Sequence, residues 1–155
     1  SLIARHVGDL QIGVYVAPSY VERLGAPAHP RELQNTDHCI VGFLSSRTSK
    51  IDPLVLCSEN ERIEIKGNYV LAVDDGNAYL EAGLVGLGVI ALPNYMAAAH
   101  QAVGALIPLF TQWRISPMPL YLAFPPNRHV NAKLRVFIDW IVEVMLQHVP
   151  IANNQ

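Results

Sequence analysis

Between Glu81 and Arg114 the chain carries no Asp, Glu, Lys or Arg. A stretch of that kind is either a membrane span or the buried centre of a domain. A span needs about 20 consecutive apolar residues. Here Gly86, Gly88, Pro93, Asn94, His100, Gln101, Gly104 and Pro108 cut the run into shorter pieces. The stretch therefore reads as core. The composition agrees, with 51% hydrophobic and 15% charged residues among 155, the opposite of the balance that keeps a chain disordered. The length suits about one ordinary domain.

A formal charge of −2 gives nothing built to hold a polyanion such as DNA. Cys39 and Cys57 are too few for a disulfide framework. Ser1-Leu2-Ile3-Ala4-Arg5 has no signal-peptide pattern. A reduced, cytoplasmic domain is expected, with no membrane partner.

Strands and helices alternate along the sequence. Ile12–Ala17 reads as a strand, and Pro18 with Gly25 brackets a short helix. A helical turn follows His29-Pro30, and Cys39–Leu44 is a buried strand ahead of the polar loop Ser45–Lys50. Leu54–Ser58 and Arg62–Lys66 form a hairpin with one wet face. Tyr69–Val73 is a strand, Asp74-Asp75-Gly76 starts a helix, Ala78–Leu87, and Gly88 ends it. Val89–Leu92 is a strand, Pro93 opens a helix to about Gln101, and Ala105–Leu109 and Leu120–Phe124 are apolar runs. Leu134, Phe137, Ile138, Ile141 and Met145 lie on one face of a last helix, with Asn131 as its N-cap. This order predicts an α/β fold with a largely parallel sheet covered on both faces.

Three features could carry chemistry. Gly83, Gly86 and Gly88 resemble a phosphate loop, but such a loop follows a strand and opens a helix. These glycines end a helix instead, so they serve capping and close packing. Asp74-Asp75 is an acidic pair at a strand's carboxyl end. One is expected to cap the following helix, and the position is also where open α/β sheets bind small molecules. Ser45–Lys50, rich in hydroxyls, is either a solvated loop or part of the same site. If the strands before Ser45 and Asp74 run parallel, both segments face one sheet edge. No spacing of Cys and His suits a metal, and no G-x-S-x-G elbow occurs. No catalytic residue, metal or cofactor is expected.

An ordered set of short motifs covers nearly the whole chain. It runs Leu2-Ile3-Ala4-Arg5, Gly8-Asp9-Leu10, Val16-Ala17-Pro18-Ser19-Tyr20, Gly25-Ala26-Pro27, Pro30-Arg31-Glu32-Leu33 and His38-Cys39-Ile40. Asp75-Gly76-Asn77-Ala78, Gly86-Leu87-Gly88-Val89-Ile90-Ala91-Leu92-Pro93, Leu106-Ile107-Pro108-Leu109, Pro119-Leu120-Tyr121 and Phe137-Ile138-Asp139-Trp140 follow. This set resembles LysR-type transcriptional regulators. The resemblance implies the C-terminal part of an effector-binding region similar to a type 2 periplasmic binding protein. It implies one complete α/β subdomain, residues 13–105, plus part of another, residues 1–12 and 106–155. The first βα units and the DNA-binding domain would lie upstream.

By the same resemblance, a small-molecule effector sits in the cleft between subdomains and shifts the regulator's conformation. Ser45, Ser46, Asp74, Asp75, Gly76 and Asn77 match the second-subdomain effector positions. The acidic pair favours a polar or cationic effector over a carboxylate. Homo-oligomers would form through the regulatory domains. DNA and RNA polymerase would be partners only through the absent part. Apolar surface on Phe137, Ile141 and Met145 would stand uncovered. The alternative is a solute-binding protein of a transport system with the same fold.

Overall fold

The first two strands part company at Gln11. In this computed structural model, which describes residues 1–34, 37–126 and 131–148, β1 (Ile3–Leu10) and β2 (Ile12–Val16) belong to different compact units. The larger is Ile12–Ser116; the smaller joins Ser1–Gln11 to Pro117–Gln155.

After β2 the larger unit continues with α1 (Pro18–Leu24), a 3-10 turn (Pro30–Gln34), β3 (Cys39–Phe43), β4 (Leu54–Cys57), β5 (Arg62–Ile65) and β6 (Asn68–Val73). It ends with α2 (Gly76–Leu84), β7 (Ile90–Pro93), α3 (Asn94–Ala102) and β8 (Ile107–Leu109). β3 pairs with β6 in parallel, Gly42 opposite Ala72. A parallel bridge between Ile40 and Val89 ties β3 to the start of β7. β2 pairs antiparallel with β7 and with β8, setting Val14 opposite both Ala91 and Leu109. The strands thus lie in the order β6, β3, β7, β2, β8.

The largely parallel sheet that the alternation predicts is interrupted by one reversed strand, which makes it mixed. β2 is the reason. It enters reversed between two strands that come more than 70 residues later, and strand–helix alternation carries no signal for so distant a pairing.

Period-two alternation sends successive side chains to opposite faces. Val14, Val16, Ile40 and Val89 join one buried cluster with Tyr20 and Leu33, against the β4–β5 hairpin residues Leu56 and Ile63. Tyr15, Val41 and Ile90 join the other, with Tyr79 and Ala82 of α2 and Ala97 of α3. Both faces are covered. The hairpin keeps Ile63 and Ile65 inside and Arg62 and Glu64 outside.

α2 ends earlier than the sequence suggests. Leu87 N–H donates to Ala82 O at 3.1 Å and Gly86 N–H to Gly83 O at 3.0 Å, the paired bonds of a Schellman cap. The left-handed residue is Gly86, φ 80°, so Gly86 and not Gly88 ends the helix. Gly88 instead lets the backbone of β3 approach: a Cβ there would meet Cys39 O and Val41 N at 3.0 Å. At Gly83 a Cβ would lie 2.2 Å from Ile90 Cδ1. Both are close-packing glycines.

The smaller unit pairs β1 antiparallel with β9 (Met118–Phe124), from Ile3 opposite Phe124 to Leu10 opposite Met118. α4 (Ala132–His148) starts at Asn131, whose Oδ1 accepts from Lys133 N–H at 2.7 Å. Ile138 is buried and Leu134, Ile141 and Met145 are half-buried. Of the three side chains expected to stand uncovered, Phe137 is half in water and the other two are less exposed. The division falls at 11/12 and 116/117 instead of 12/13 and 105/106. β8 pairs with β2, and Arg114 exchanges two 2.8 Å backbone bonds with Cys57, which holds residues 106–116 in the larger unit.

Candidate functional site

Because β3 and β6 are parallel, their following loops leave the sheet at one edge. Leu44 N–H donates to Val73 O at 2.7 Å, so Ser45 and Asp74 begin side by side in register. The Ser45–Lys50 loop closes on itself: Ser45 N–H donates to Lys50 O at 2.9 Å and Ser49 N–H to Ser45 O at 2.8 Å. Ser45 Oγ accepts from Arg47 N–H at 3.3 Å. Ser45 is half-buried and Ser46 is exposed.

Across the edge, Asp75 is the N-cap of α2, its Oδ1 accepting from Ala78 N–H at 2.9 Å. Asx side chains satisfy one of the orphan donors of a first helical turn in this way. Asp74, Gly76 and Asn77 are exposed. A Cβ on Gly76 would meet nothing within 4 Å, so the space over the start of α2 is open. Among the described residues neither Arg47 nor Lys50 forms an ion pair with the acidic couple. All six residues singled out in the sequence therefore belong to one sheet edge. One of the two carboxylates is committed to the helix.

His38 and the Cys39 backbone are tied to α1 by one phenol. His38 Nδ1 lies 2.8 Å from the Tyr20 hydroxyl, which also accepts from Cys39 N–H at 3.0 Å. Burial pushes the Tyr20 phenol up, against the opposing pull of the Cys39 N–H.

Further along the same edge lies a cavity of about 230 Å³ that no local sequence signal announces. It opens where β2 begins, β8 ends and α3 starts. Tyr15, Asn94, Phe110, Thr111 and Trp113 contribute to its lining. None of the six predicted residues does. Its walls come from β2 and from separate segments at Leu56, Asn94 and Pro108–Ile115, and the motif Leu106-Ile107-Pro108-Leu109 carries no sign of a cavity. The only local hints are a glycine within a strand, Gly13, and an Asn directly after Pro93.

With this geometry in hand, the comparisons with known proteins are consistent with one another. The family model described as LysR substrate binding domain matches residues 1–146. An HTH-type transcriptional repressor of Pseudomonas aeruginosa is 26% identical over 151 residues, 97% of this chain and 47% of the relative. The HTH-type regulator YhjC of Escherichia coli is 30% identical over 148 residues, 96% of this chain and 49% of the relative. The chain thus spans about half the length of the curated relatives it matches. Among solved structures, the CrgA regulatory domain of Neisseria meningitidis superposes with a TM-score of 0.75 at 24% identity, covering 92% of this chain and 68% of that one. A variant of the AphB regulatory domain from Vibrio vulnificus gives 0.76 at 24%, covering 92% and 69%. At that identity the likeness concerns the fold.

Proposed function

The chain belongs to the LysR substrate-binding domain family, and on that premise we propose that it is the effector-sensing region of a bacterial LysR-type transcriptional regulator. The larger unit corresponds to the family's second regulatory subdomain and the smaller to part of the first. A small molecule binds at the edge formed by Ser45, Ser46 and Asp74–Asn77. Binding shifts the population of regulator conformations, and transcription follows that shift. No bond is made or broken. The observation that carries this reading is the family match over nearly the whole chain. The convergence of both predicted loops on one sheet edge supports its location.

The protein works in the cytoplasm as a homo-oligomer. DNA and RNA polymerase are met through a helix-turn-helix part outside residues 1–155. Among the described residues no helix is long and apolar enough to cross a membrane. The relatives reported above are regulators, which supports this reading over a transport receptor of the same fold.

Two measurements test it. The first reads the coding sequence upstream of the Ser1 codon. A helix-turn-helix and linker helix there support the proposal, and an export signal overturns it. The second addresses the effector. Exposed Asp74 beside the α2 cap favours a polar or cationic ligand, because a carboxylate would face like charge. Calorimetric titration with benzylamine and benzoate is expected to show binding of the amine alone, weakened several-fold by Asp74→Asn. Tight binding of benzoate alone rejects the cationic class.

A further inference from the structure

We draw no further inference here: the strongest candidate, the exposed apolar surface patch that Val70 and Leu71 form on β6, the outermost strand of the larger unit's sheet among the described residues, carries no proposal because nothing in the structure shows what covers it.

Discussion

Tyr79 shows how one buried side chain ties stability to pH. Its ring lies against α2's own face of the sheet, 5.5 Å edge-on to Phe43. Its hydroxyl accepts from Ala91 N–H at 2.8 Å. Burial pushes the phenol up to about 12, and the Ala91 N–H opposes part of that rise. The unfolded chain ionises near 10. Below pH 10 the hydroxyl is protonated in both states and its contribution is complete. As pH climbs from 10 to 12 the unfolded state releases its proton first, and stability is lost. Two units correspond to roughly 2–3 kcal/mol. Urea unfolding at stepped pH should therefore fall across this window and fall less steeply in Tyr79→Phe. At pH 7 the same change should cost about 1 kcal/mol, because Ala91 N–H loses its acceptor. An unchanged slope would mean that Tyr79 is not the source; Tyr15, Tyr20 and Tyr69, all raised by burial, would then be examined. The Asp75 cap could be read locally from three adjacent residues. The Tyr79–Ala91 bond could not, since a helix and the strand after it must first pack.

At the scale of elements, α2 shows why beginnings were more legible than ends. Asp followed by a helical run is a local signal, and the helix does start there, with Asp75 capping Ala78 N–H. Three glycines in six residues offered three stops, and only the φ of 80° at Gly86 separates them. Strand direction was less legible still. β3 and β6 behave as a parallel pair, whereas β2 runs against both neighbours and nothing within Ile12–Val16 records that. The cap itself is testable. Asp75→Ala should lower stability by about 1 kcal/mol, or roughly 2–4 °C in melting temperature for a chain of this size. Asp75→Asn should restore most of it, since an amide oxygen caps as well. If Asn and Ala were equally damaging, the carboxylate charge and not the hydrogen bond would be what α2 requires.

For the whole molecule, the family and the α/β class were legible because both live in the order of many short signals. The cavity beside Asn94 was not, because it exists only after β2, β7 and β8 meet. The smaller unit has the plainest consequence at this scale. Among the described residues it consists of a two-stranded ladder and α4, and two strands alone are marginal in water. α4 buries Ile138, yet Val136, Phe137 and Trp140 remain 68%, 50% and 55% exposed. Phe137 and Trp140 lie together, 6.0 Å between ring centroids. Ile3 and Tyr121 add exposed apolar surface on the ladder. Clustered apolar surface of this kind marks an association site, and a second copy presents the same patch in a self-complementary two-fold arrangement. Sedimentation velocity should show association that grows with concentration across the micromolar range. Phe137→Glu combined with Trp140→Glu should shift the chain to monomer. Its melting temperature, taken at low concentration, should change little, because both side chains are already half in water. A monodisperse monomer at every concentration, or a double variant that associates as strongly as the parent, would show that this face is not what brings copies together.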